Sequence, residues 1–149
     1  MSMTLKEQIG EDMKSAMRAR ERERLSVVRM LLAAIKQKEI DERVSLDDAG
    51  VLAVVEKMVK QRRDAESQYR DAGRAELAAA EAAEIAVLGA YLPEPLDDVA
   101  LQGLIEDAIT ATGATTMRDM GQVMGVLKPQ VQGRADMAAV SGAVKKRLG

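Results

Sequence analysis

Residues 24–40 read RLSVVRMLLAAIKQKEI, and their apolar side chains recur at the spacing of an α-helix. One face of such a helix carries a stripe of aliphatic residues, namely Leu25, Val28, Leu32 and Ile35. Further apolar residues widen this face, which is typical of a helix packed inside a bundle. We therefore predict that residues 21–40 form the most buried helix of the chain.

Helical segments flank this stretch on both sides. Thr4 and Glu7 form a capping-box pattern, which predicts a helix start just before a run of apolar residues four apart. A third helix is predicted from a Ser45 cap to Gly73, and a fourth over residues 75–91. No segment alternates polar and apolar residues as a half-buried strand would, so the sequence predicts an all-α, multihelical fold.

The triplet Pro93-Glu94-Pro95 divides the chain. No proline precedes it, and each proline fixes its own φ while it pushes the preceding residue out of helical geometry. We expect a stiff elbow here, between an amino-terminal helical bundle (residues 1–92) and a small three-helix carboxy-terminal subdomain (residues 93–149).

Caps and breakers place the three helices of the second part. Asp97 or Asp98 can cap the first of these helices, which would end at Gly113. Another helix is predicted to open at Thr116 and to stop before Pro129, and Asp136 can cap the last.

Composition excludes several classes of function. The chain has 149 residues, 22 Lys and Arg against 24 Asp and Glu, and neither Cys nor His. Disulfides, thiol nucleophiles and His-dependent triads are thus excluded, and neither common Gly-rich phosphate loop occurs. We expect no cofactor, no metal and no catalytic residue.

Hydropathy gives an expectation of location. The residues from 1 to 11 lack the apolar core of a signal peptide, and the longest apolar stretch, 25–35, is shorter than the roughly 20 residues that cross a bilayer. The sequence predicts a cytoplasmic protein with no membrane contact.

Basic residues collect near the carboxy terminus. From residue 118 onward there are six cations, Arg118, Lys128, Arg134, Lys145, Lys146 and Arg147, against the two acids Asp119 and Asp136. The predicted loop 129–133 leads towards the last helix and is bracketed by two of these cations, an arrangement suited to backbone phosphate. The three cations at the end of the last helix can instead simply complement its dipole.

Two other basic groups allow more than one interpretation. Arg18, Arg20, Arg22 and Arg24 alternate with glutamates, which favours a solvated, self-neutralising turn. Lys60, Arg63, Arg70 and Arg74 share one side of the third helix. That stripe can follow a phosphate backbone, but glutamates one turn away favour a face covered by salt bridges.

Gly121 and Gly125 leave a flat strip on one helix. The strip can serve for packing inside the subdomain, or as the floor of a docking groove lined by Met117, Met120 and Met124. With two tyrosines as its only aromatic residues, the chain cannot build a base-stacking platform, so any RNA would be recognised by its backbone and shape.

Residues 120–136, MGQVMGVLKPQVQGRAD, resemble the signature of the GatB/YqeY family. Residues 24–40, 60–77 (KQRRDAESQYRDAGRAEL) and 84–96 (EIAVLGAYLPEPL) are similar to matching stretches of free-standing YqeY-like proteins. The resemblance covers nearly the whole chain, although Gln130 stands where such proteins often have lysine.

This resemblance implies a two-part helical fold that is similar to the tail of the amidotransferase B subunit, which helps to hold tRNA. It also implies an association with translation and with glutamine-dependent tRNA amidation, a carbon–nitrogen ligase activity. The catalytic constellations of that enzyme are absent from this chain, so we expect no independent activity.

Our leading hypothesis is a tRNA-interacting adaptor, whose further partners are a tRNA synthetase or amidotransferase components. Its expected nucleic-acid contacts are Lys128, Arg134, Arg118, Lys145 and Lys146, with Gly121, Gly125 and Gly133 as docking or turn positions. The alternatives are a protein-interaction module that uses the Gly121/Gly125 groove and, least favoured, a stand-alone amidotransferase.

Overall fold

The computed structural model describes residues 3–149, which form seven α-helices, one 3-10 turn and no strand. The predicted all-α fold is confirmed. The helices are α1 (Leu5–Arg18), α2 (Arg22–Glu42), α3 (Asp48–Asp71), α4 (Ala75–Gly89), α5 (Asp98–Thr112), α6 (Met120–Val131) and α7 (Met137–Leu148), and the 3-10 turn is Met117–Asp119.

The chain divides into two compact units, one that ends at Leu92 and one that runs from Pro93 to Gly149. Residues 1 and 2, which the predicted range 1–92 included, lie outside the described residues. The first unit contains α1 to α4, and the second contains α5 to α7 with the 3-10 turn.

Polar caps set the helix starts of the first unit. The Thr4 hydroxyl accepts the Glu7 N–H at 3.1 Å, so α1 begins where the sequence indicates. The prediction that Ser45 caps α3 is wrong, because the cap is Asp47, whose carboxylate accepts the Gly50 N–H at 2.8 Å.

The displacement of this cap from Ser45 to Asp47 follows from contacts with Glu39 on α2. The Leu46 N–H donates to the Glu39 carboxylate at 2.8 Å, and Lys6 pairs with the same carboxylate at 2.7 Å. These contacts hold residues 45 and 46 outside the helix. The chain can therefore turn into α3 only from Asp47 onward.

The core of the first unit is aliphatic. Each of its four helices contributes to it, and its fully buried members include Ile9, Leu31, Val55 and Leu88. Helix α3 buries five side chains and α2 buries four, so α2 is not the most buried helix. A core of this kind stabilises the unit mainly by removing apolar surface from water.

In the second unit, α6 differs from its prediction. It continues through Pro129 to Val131, although the sequence favoured an end before the proline. Leu127 and Val131, one turn apart, are both fully buried. Their burial holds the last turn helical, and the proline deprives it of one backbone hydrogen bond near the helix end.

The core of the first unit can be tested on α4 with two leucines. Leu88→Ala should lower the free energy of unfolding by about 2–5 kcal/mol, because a fully buried side chain leaves a cavity. Leu77→Ala, on the same helix at 39% exposure, is the matched control and should cost clearly less. Urea unfolding followed by circular dichroism measures both, and equal losses would contradict this core assignment.

Candidate nucleic-acid interface

Helix α6 has one buried side and one bare side. Val123, Leu127 and Val131, four residues apart, are fully buried in the core of the second unit. Since a helix turns once in 3.6 residues, Gly125 lies opposite this buried stripe, and Gly121 and Lys128 lie next to it on the exposed flank of the helix. We refer to these three residues, with Arg118 just before them in the 3-10 turn, as the glycine strip.

The glycine strip is open. All four of its residues are exposed, and a Cβ atom built on Gly121 or Gly125 would have no neighbour within 4 Å. The two glycines therefore do not pack inside the subdomain, which was one of the two interpretations of the sequence. Between Gly121 and Lys128 the strip is about 10 Å long, at 1.5 Å of helix rise per residue.

The methionines do not build walls around this strip. Met120 and Met124 are half-buried against the core of the second unit, whereas Met117 is 42% exposed. The surface is consequently a bare helix face with a cation near each end, and not a deep apolar groove.

Arg134 lies in the connection between α6 and α7. The predicted loop 129–133 is wrong, because Pro129 to Val131 are helical and the connection covers residues 132–136. Gly133 supplies the turn there, at a φ of 76°. The Arg134 Nε donates to the Glu94 carbonyl at 3.3 Å, and its own carbonyl accepts the Leu96 N–H at 2.9 Å. Arg134 is thus half-buried and held by backbone, and no ion pair among residues 3–149 includes it.

The three cations of the last turn of α7 differ in their contacts. Lys145 and Lys146 are exposed, while Arg147 pairs with both carboxylate oxygens of Glu106 on α5, at 2.6 and 3.2 Å. This pairing raises the pKa of Arg147. Arg147 therefore joins α7 to α5, whereas the two lysines remain available at the surface.

The two acids among these cations act as caps. Asp119 accepts the N–H groups of Thr115 and Thr116 at 2.9 and 3.2 Å, which lowers the pKa of its carboxyl group. Asp136 accepts the Ala138 N–H at 3.4 Å. Among the described residues, no ion pair includes the exposed cations Arg118, Lys128, Lys145 or Lys146.

The other basic groups lie in the first unit. In the α1–α2 turn, Arg24 pairs with Glu21 at 3.2 Å, and on α3 Arg70 pairs with Glu66. These two pairs match the salt-bridged interpretation of the sequence, but they engage only one cation of each group.

A polar contact that the sequence does not predict joins the middle of α1 to the segment after α4. The Tyr91 hydroxyl donates to the Asp12 carboxylate at 2.6 Å, and Arg24 lies 4.0 Å from the same carboxylate. Partial burial, and then the nearby Asp12, raise the pKa of Tyr91. No sequence signal links residues 79 positions apart.

Residues 3–149 contain no helix both long and apolar enough to cross a membrane. Nor do they contain a cluster of three or more His, Cys, Asp and Glu residues suited to a metal ion.

Two helical units and a bare, cationic helix face define a small all-helical protein with a basic surface on its second unit. The chain belongs to the family of Yqey-like proteins, whose family model matches residues 6–148. This match does not test the likeness to the amidotransferase B subunit, which stays a prediction.

Curated relatives occur in fungi. The chain is 28% identical over 120 residues to a Vanderwaltozyma polyspora protein named "Altered inheritance of mitochondria protein 41, mitochondrial", covering 75% of this chain and 64% of that protein. Proteins of the same name from Kluyveromyces lactis (28% identity, 92% of this chain and 72% of that protein) and Pyrenophora tritici-repentis (26%, 93% and 77%) are also similar.

These names correct one expectation. The predicted cytoplasmic location is contradicted, because the relatives are named as mitochondrial proteins. The chain also spans less than two thirds of the length of the Vanderwaltozyma polyspora relative.

The Asp119 cap predicts a pH dependence. Because the folded state lowers the pKa of this carboxyl group, its contribution to stability is present above the unfolded pKa of about 3.9 and is lost as pH falls through the lower folded pKa. Asp119→Ala should therefore lower the melting temperature at pH 7, and by less near pH 3. Asp107→Ala, at an exposed position on α5, is the control and should lower the melting temperature at pH 7 by clearly less. A difference for Asp119→Ala that is independent of pH would contradict the capping role.

Proposed function

We propose that this chain is a tRNA-binding adaptor that contacts the sugar–phosphate backbone through the glycine strip. The observation that supports this proposal most is the exposure of Gly121 and Gly125 on the side of α6 away from its core, with Arg118 and Lys128 near the two ends. Without Cβ atoms, this part of the helix allows another backbone to approach closely.

The charges of the second unit favour phosphate as the ligand. Asp119 and Asp136 act as caps and Glu106 pairs with Arg147, so these three acids are engaged and compete little with the exposed cations Arg118, Lys128, Lys145 and Lys146. Arg134 adds a further cation in the α6–α7 connection. Cations placed in this way bind polyanions by displacing counterions, without base recognition.

The proposal includes glutamine-dependent tRNA amidation only as a reaction that partner proteins would carry out. The chain would present tRNA to amidotransferase components or to a tRNA synthetase, and we assign it no catalytic residue. The resemblance to the amidotransferase B subunit supports this step, because its tail is the part similar to this chain.

Salt-dependent binding tests the proposal. The unaltered chain should bind tRNA with an affinity that falls steeply as salt rises, and Lys128→Ala with Arg134→Ala should reduce the slope by about one unit for each lost phosphate contact. Lys57→Ala is the control, since Lys57 is an exposed lysine on α3 outside the second unit. Filter binding between 50 and 200 mM salt measures these slopes. Undetectable binding at low salt, or an unchanged slope in the double variant, would overturn the proposal.

A second candidate function is a docking site for a partner helix. The exposure of Met117, next to the open glycines, favours it. Binding of this kind rests on apolar contact, so it should change little with salt and should weaken in Met117→Gln, while Lys128→Ala leaves it intact. The reverse pattern, with strong salt dependence and no effect of Met117→Gln, excludes this candidate.

A further inference from the structure

The turn between α1 and α2 presents three arginines within five residues. Arg18 ends α1, Arg22 begins α2, and Arg20 lies between them with a left-handed φ of 58°. We refer to Arg18, Arg20 and Arg22 as the arginine turn. All three side chains are exposed, and because the chain reverses here, the spacing rules of a continuous helix do not separate them.

The acids next to this turn are mostly engaged elsewhere. Glu21 pairs with Arg24 at 3.2 Å, and Glu84 on α4 pairs with Arg62 at 2.8 Å. No ion pair in the described part of the chain includes a residue of the arginine turn or Glu23. Three arginines outside any of these ion pairs therefore face one such glutamate, so positive charge exceeds negative charge at the arginine turn.

A cleft adjoins these arginines within the first unit. It has a volume of about 760 Å³ and lies between the turn and α4, where Ala80, Ala83 and Val87 form part of its lining. Arg20 and Arg22 line the same cleft, together with Arg24 and the carboxylates of Glu21, Glu23 and Glu84. Two of these glutamates are already paired, Glu21 with Arg24 and Glu84 with Arg62.

Local structure does not account for arginine at these positions. A left-handed backbone disfavours any residue with a Cβ, and the equivalent positions after α3 and α5 are Gly73 and Gly113. Arg22 opens α2, where the helix dipole disfavours a positive charge, and Glu21 provides no side-chain cap. Only Arg18, in the last turn of α1, complements a dipole. A bound anion would offset the unfavourable positive charge of Arg22 at the start of α2.

We infer that the arginine turn is a second phosphate-binding site, which holds the backbone of the same structured RNA that the second unit binds. This inference rests on the proposed function. Residues 18–29 contain five arginines and no lysine, and the planar guanidinium group pairs with phosphate through two parallel hydrogen bonds. The site recognises phosphodiester groups and reads no bases.

The test uses substitutions that should not harm folding. Arg20→Gly relieves the left-handed position, and Arg22→Gln removes a charge that opposes the helix dipole, so the double variant should melt at or above the temperature of the unaltered chain. Its affinity for tRNA should fall about fivefold per lost contact at 0.15 M salt, with a salt slope reduced by about two units.

Arg43→Gly is the matched control. Arg43 is an exposed arginine that ends α2 with a left-handed φ of 54°, so the substitution and the backbone conformation are the same as at position 20. Its affinity should be unchanged. A second variant, Arg20→Lys with Arg22→Lys, keeps the charge and should keep the salt slope, while it loses affinity through the missing paired hydrogen bonds.

The outcomes separate this inference from the proposed function. If Arg20→Gly with Arg22→Gln binds tRNA as tightly as Arg43→Gly, the arginine turn is not a binding site, whatever Lys128→Ala does. If the arginine variant loses affinity and the Lys128→Ala, Arg134→Ala variant does not, the arginine turn binds tRNA, and the proposed contact on the second unit is wrong. Absence of tRNA binding by the unaltered chain overturns both.

Discussion

The buried side of α6 determines which residues its other side exposes to solvent. Val123, Leu127 and Val131 lie fully inside the core of the second unit, and their regular spacing fixes the rotation of the helix. Gly125 then lies on the opposite side, and Gly121 and Lys128 are exposed beside it. The same burial carries the helix past Pro129, so that Lys128 lies within a helical turn. Packing in the core thus positions the surface that we propose binds RNA.

Caps and ion pairs decide which charges remain for a ligand. A cation paired with a carboxylate contributes little to a polyanion site, and an acid that caps a helix is already satisfied by backbone N–H groups. Glu106 pairs with Arg147, and Asp119 accepts backbone N–H groups in the capping box of the 3-10 turn. The formal net charge of −2 therefore gives a poor measure of the local surface, where unpaired cations are concentrated.

The sequence was sufficient for the fold class and for most helix boundaries, because those depend on local signals. Thr4 and Asp97 cap helices as their side chains indicate, and Gly73 and Gly113 adopt the left-handed conformation that ends a helix. The Asp47 cap depends instead on the contact between Leu46 and Glu39, which a local pattern does not contain.

The candidate site was predictable only in part. The sequence identified the cations and the two glycines, but the openness of the strip depends on how α6 is rotated in the core. The rule that proline ends a helix placed the loop wrongly, since tertiary burial prevailed over local preference at Pro129. The arginine turn depends on the fold for a related reason: Arg20 has a left-handed φ, so the spacing rules of one continuous helix do not apply across it.

A titration of the isotopically labelled chain with tRNA, followed by amide chemical shifts, tests the central claim most directly. The account predicts that the amides of Gly121, Gly125 and Lys128 shift, while those of the buried Val140 and Val144 on α7 stay nearly unchanged. If the three amides of α6 keep their positions while tRNA binds, the glycine strip is not the contact surface.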